Sequence, residues 1–99
     1  MNTTKIHKNN TALEIALSKS FNLHIKEVIE SRISSEIDTI HMDFTNCHIL
    51  DSEAVIFMYK WQKAGNKLML QNPPEILFNI ITILELDEDW NLHYIKSKE

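Results

Sequence analysis

The tetrad Asp51-Ser52-Glu53-Ala54 falls between an apolar run over residues 40–50 and an apolar, helix-like run over residues 55–61. A strand that passes directly into a helix through Asp-Ser places a hydroxyl where unpaired backbone N–H groups and the helix dipole favour negative charge, phosphate included. The chemistry open to Ser52 is therefore phosphorylation, acting as a charge switch. The same residue types are the preferred helix caps, and Asp51 or Ser52 serving simply as a cap is the plainer reading.

Little else in the chain is equipped for chemistry. A single glycine, Gly65, cannot build a glycine-rich phosphate loop, so nucleotide-binding motifs of that kind are absent. The five histidines, His7, His24, His41, His48 and His93, and the lone Cys47 form no close ligand set of the spacing that zinc sites use. A triad of Ser52, His48 and Asp51 lacks the glycines that let a nucleophile stand exposed on a sharp turn. Asp43, Asp51 and Glu53 are carboxylates at separations the sequence does not fix. The chain reads as a non-enzyme with no cofactor and no metal.

The elements that would hold Ser52 follow from periodicity. Leu13, Ile15 and Leu17 alternate with polar or small residues as a half-buried strand does, and Ser18-Lys19-Ser20 breaks the pattern. Ile25, Val28, Ile29 and Ile33 share one face of a helix of about three turns, capped by Ser20 or Asn22 and ended by Ser34-Ser35. Residues 37–44 resume the strand pattern, with Ile40, Met42 and Phe44 on one face.

A second helix runs over residues 52–63, apolar on several sides through Val55, Ile56, Phe57, Met58, Tyr59 and Trp61, which reads first as burial in a core and second as a face shared between core and a partner. Ala64-Gly65-Asn66 stops it, and residues 67–71 form a short strand. After the turn Asn72-Pro73-Pro74, a third helix over residues 75–84 should bury Ile76, Leu77, Ile80, Ile81 and Leu84. A final strand is expected within residues 90–96. Strands alternating with helices imply right-handed βαβ crossovers and a mixed or parallel sheet, with no internal repeat evident.

Length and composition bound the rest. The 99 residues, 43% hydrophobic and 24% charged, suit one globular domain with a genuine core. A net charge of −4, with ten basic residues spread singly, offers no stripe for a phosphate backbone, so nucleic acid is excluded as a partner. The acidic run Glu85-Leu86-Asp87-Glu88-Asp89 reads as a solvated turn. One cysteine permits no intrachain disulfide and fits a reducing compartment. With no signal-like h-region and no apolar stretch of membrane-spanning length, a cytoplasmic protein without direct membrane insertion is expected.

Three stretches together carry a resemblance: Ile37-Asp38-Thr39-Ile40-His41-Met42-Asp43-Phe44, Ile49-Leu50-Asp51-Ser52-Glu53-Ala54, and Ala64-Gly65-Asn66-Lys67-Leu68-Met69-Leu70-Gln71-Asn72-Pro73. Over about half the chain, this order of strand, Asp-Ser turn, apolar helix, glycine, Lys-Leu-x-Leu strand and Asn-Pro turn resembles the STAS domain family, shared by sulfate transporters and anti-anti-sigma factors. The resemblance implies an α/β STAS-like single domain over residues 11–99, with a mixed central sheet of about four to five strands and helices packed on it. Residues 1–10 would be a flexible N-terminal arm or a short edge strand.

The resemblance also implies a non-enzymatic, protein-binding regulatory module. In anti-anti-sigma members the serine after the Asp is phosphorylated by a partner anti-sigma kinase, and Ser52 matches it. Partner switching would then use Asp51, Ser52, Glu53, Ala54, Val55 and Met58 against a kinase-like ATPase, with a phosphate adding about −1.5 to −2 charge to the interface. Glu53 and Ala54 depart from the small and glycine residues of the family pattern, Ser18-Lys19-Ser20-Phe21 replaces its Gly-x-x-Asp turn, and a permanent carboxylate at Glu53 opposes a phosphate beside it. A second branch of the family fits these departures: small STAS subunits seated on the ATPase of a bacterial lipid-transport ABC system, which need no phosphate. A structural adaptor within a signalling assembly is a third.

Overall fold

A computed structural model describes residues 3–96. The alternation at Ile40 and Met42 builds the central strand, and the same alternation at Leu13 and Ile15 and at Leu68 and Leu70 builds the two beside it, all six side chains being buried. In chain order the elements are β1 (Lys5–Asn9), β2 (Ala12–Ala16), β3 (Ser20–Phe21), α1 (Leu23–Arg32), β4 (Thr39–Asp43), β5 (Ile49–Leu50), α2 (Ser52–Lys63), β6 (Lys67–Gln71), α3 (Glu75–Ile83) and β7 (His93–Ile95). Five strands form one sheet in the order β1-β2-β4-β6-β7, while β3 and β5 pair separately. Among the described residues only β1 runs antiparallel, joined to β2 by a two-residue turn in which Asn10 takes φ 59.

The register aligns Leu13 with Ile40 and Leu68, and Ile15 with Met42 and Leu70, so the apolar rows run straight across the sheet. Helices cover that face through Ile29 of α1, Ala54, Val55, Phe57 and Met58 of α2, and Leu77 and Ile81 of α3. On the opposite face none of Glu14, His41 or Met69 is buried, and His7, Glu14, His41, Met69 and His93 line up strand by strand. All three helices of the described residues therefore lie on one side. Parallel sheets are usually covered on both faces, and the polar outer row is what lets this one face water.

Three expectations need correction. The break at Ser18-Lys19-Ser20 contains the first residue of strand β3, and β5 precedes α2; two-residue strands are too short to show a period. Ile76, expected in the buried face of α3, is 41% exposed, while Ile80 and Leu84 are half-buried. A helix on the flank of a sheet buries one stripe, here through Leu77 and Ile81, and Ile76 lies about 100° around the axis from Leu77. The last strand is confined to His93–Ile95. Of the expected N-terminal segment, residues 5–9 form β1, and Met1 and Asn2 lie outside the described residues.

Gly65 ends α2 at φ 95, with nothing within 4 Å of a Cβ added there. Backbone strain alone should then set the effect of substitution. Gly65→Ala is expected to lower the unfolding free energy by about 1–2 kcal/mol in urea titration, with Gly65→Asn losing less. An unchanged midpoint for the alanine variant would contradict this account of the turn.

Candidate functional site

The pairing of β3 with β5 sets Ser20 opposite Ile49 and Phe21 opposite Leu50 in parallel register. The next residue of each strand is a helix cap, Asn22 or Asp51, so α1 and α2 start side by side. Asn22 Oδ1 accepts from the Ile25 amide at 3.0 Å. Asp51 does more: Oδ1 accepts from the Ala54 amide of α2 at 3.0 Å, and Oδ2 from the Leu23 amide of α1 at 3.1 Å. Its own amide donates to the Phe21 carbonyl at 3.3 Å. One carboxylate thus closes both helix starts, and its charge complements the positive ends of both dipoles.

Because Asp51 supplies the cap, Ser52 is left over. It is the first residue of α2, exposed, and its hydroxyl has no hydrogen-bond partner among the described residues. The neighbouring Glu53 reaches toward α1, where Lys26 Nζ lies 3.9 Å from its carboxylate and equally 3.9 Å from Glu30. The half-buried ammonium partly offsets the negative charge that Glu53 places beside Ser52. Such a part-exposed pair is worth at most about 1 kcal/mol, so its role is to direct Glu53 rather than to hold the fold.

Of the six residues singled out from the sequence, only Asp51, Ser52 and Glu53 reach the surface. Ala54, Val55 and Met58 are each 0% exposed and anchor α2 in the core, so they position the site without presenting side chains to a partner. Two residues that sequence reasoning missed stand beside it: Leu23, 44% exposed, and Ile49, 52% exposed. Leu23 lies outside the apolar face of α1, and Ile49 is the outward residue of a strand too short to alternate. Two exposed apolar side chains close to a free hydroxyl make a surface suited to protein contact.

The remaining polar groups are otherwise engaged. Both Asp51 oxygens serve backbone amides and are not available to orient His48. Cys47 is buried, its thiol points to the Ile49 carbonyl at 3.6 Å, and burial pushes its pKa up, which makes it a poor nucleophile. Among the described residues no group of three or more His, Cys, Asp or Glu is placed to hold a metal ion, and no helix is long and apolar enough to cross a membrane.

No protein-family model matches the sequence, and no characterised protein matches it by sequence. Solved structures do match its shape. The unphosphorylated form of the anti-sigma factor antagonist SpoIIAA superposes with a TM-score of 0.70 at 16% identity, covering 97% of this chain and 90% of that one. The phosphorylated form of the Bacillus cell-fate determinant SpoIIAA gives 0.67 at 16% identity over 98% and 93%. An anti-sigma factor antagonist from Mycobacterium paratuberculosis gives 0.66 at 11% identity over 94% and 86%. The molecule is a mixed α/β domain with its helices on one face of the sheet. It has the STAS fold, the fold of these anti-sigma factor antagonists.

The division of labour between Asp51 and Ser52 is measurable. Asp51→Ala should lower the unfolding free energy by about 2 kcal/mol, since a charged acceptor leaves two helix starts at once. Asp51→Asn should cost less, keeping the acceptor for Ala54 and losing that for Leu23. Ser52→Ala should stay within about 0.5 kcal/mol of the parent. Equal losses at positions 51 and 52 would return the cap to the serine.

Proposed function

We propose that this chain is a protein-binding regulatory module of the anti-anti-sigma type, which changes partners through Ser52 and the surface around it. The observation that carries the reading is the free, exposed Ser52 hydroxyl at the first position of α2, with Asp51 already serving as the cap. A phosphate on Ser52 would sit at the positive end of the helix dipole without displacing any hydrogen bond. It would bring charge to a surface whose neighbours, Leu23 and Ile49, are apolar. A partner packed on those side chains would have to desolvate the phosphate or release the module.

The partner is then a cytoplasmic anti-sigma kinase-like ATPase, and the module itself carries out no reaction: it accepts a phosphate and reports it by binding. A fold shared with anti-sigma factor antagonists supports this choice. The second reading, a small STAS subunit seated on the ATPase of a lipid-transport ABC system, is favoured by Glu53, a carboxylate standing beside Ser52 in every state. Both readings place protein contact on the same surface.

Purifying the chain with its bound proteins from the native host and mapping Ser52 by mass spectrometry separates them. Partner switching predicts a kinase-type ATPase, phosphate on Ser52, and affinity about ten-fold lower for Ser52→Asp than for Ser52→Ala. An ABC ATPase bound to unmodified Ser52 would establish the second reading. Equal affinity of the Asp and Ala variants would exclude a charge switch at this position.

A further inference from the structure

Helix α3 carries a second apolar surface that the serine site does not use. Ile76, Ile80 and Ile83 follow one another at spacings of four and three, the spacing of a helix–helix seam. They are not absorbed by the core: Ile76 is 41% exposed, Ile83 is 75% exposed, and Ile80 is half-buried at the core's margin. The core contact of this helix is made instead by Leu77 and Ile81. The seam spans about 10 Å, enough to face about two turns of another helix.

Its position around the helix is fixed by Phe78, whose ring lies 5.1 Å from that of Tyr94 in β7. Ile76 is about 200° from Phe78 around the axis, so the seam faces away from β7.

Charge decides what can cover it. Glu75 begins α3, Glu85, Asp87 and Glu88 follow its end, and all four are exposed. No basic residue lies in the helix's last turn. Asp89 is drawn off to Lys63 at 3.1 Å and to the Tyr59 hydroxyl. A second copy of the chain would be opposed in either direction, since both ends of the seam are acidic and pairing sets carboxylates against carboxylates. A basic helix meets no such opposition. We propose that α3 docks an amphipathic helix of a different protein, its apolar stripe along Ile76, Ile80 and Ile83 and its Lys or Arg side chains over Glu75 at one end and Glu85, Asp87 and Glu88 at the other. This is recognition of a helix by its apolar anchors, with charge fixing the choice of partner.

The surface is independent of any modification at Ser52, and it can be tested without knowing the partner. The probe is a synthetic helical peptide of about 14 residues, with leucines at spacings of three and four flanked by lysines. Its counterpart carries glutamates in place of the lysines. Both are titrated into the full chain while backbone amide shifts are followed by NMR. The lysine peptide is expected to shift amides of α3 and the turn after it, with affinity falling as salt rises, and to bind about ten-fold more tightly than the glutamate peptide. Ile83→Glu should abolish the shifts while leaving the unfolding midpoint in place, and Ile76→Ser provides a milder variant of the same seam. Equal binding of the two peptides, shifts located elsewhere, or undiminished binding by Ile83→Glu would overturn the proposal. So would a dimer in sedimentation that Ile83→Glu dissociates, which would assign the seam to a second copy.

Discussion

The two oxygens of Asp51 are the constraint on which the rest of the site depends. One holds the start of α2, the other the start of α1, and the carboxylate sits where the short β3–β5 pair brings both helix ends together. Helix starts carry unpaired donors, and two of them side by side would leave a dense cluster of N–H groups without acceptors. A single half-buried anion answers that cluster from both directions. The serine can then be a chemical handle because the structural task beside it has already been taken.

Much of this was legible in the sequence, and the reasons for what was not are physical. The limits of α2, its end at Gly65 and the strand Lys67–Gln71 could be read because each rests on local chemistry: a cap residue, a positive φ, a period of two. The central rows at Leu13, Ile40 and Leu68 followed from alternation. By contrast, β3 and β5 exist through pairing between residues 29 apart in number, Ser20 and Ile49, and nothing local marks them. The exposure of Leu23 and Ile49 depends on that pairing and was hidden with it. Met58 and Val55 were correctly seen as apolar helix residues, but which way an apolar helix turns is decided by what packs on it. Here α1, α3 and β6 surround α2 and take those side chains inward.

The β3–β5 pair also exposes an order in the chain that its residues do not advertise. Twice, a long strand leads to a short strand, then to a capped helix: β2, β3 and α1, then β4, β5 and α2. The long strands are parallel neighbours, and so are the short ones. The third passage, from β6 to α3, omits the short strand, and the cap position falls to Pro74, which makes no side-chain hydrogen bond. The serine surface therefore occupies the seam between two well-fastened units. The isoleucine stripe belongs to the third, which is fastened differently.

That difference has a dynamic side. Helix α3 begins without a side-chain cap, the chain leaves it through Glu85 at φ 58, and β7 is a three-residue edge strand whose residues are all exposed. Amide exchange in such a segment proceeds through local opening of low free energy, whereas β2, β4 and β6 must await global unfolding. Closing this segment down requires only that something favour its folded form. A helix seated on α3 would do so, and its binding energy would appear as slowed exchange in β7, a strand on the far side of Phe78 that the bound helix does not touch.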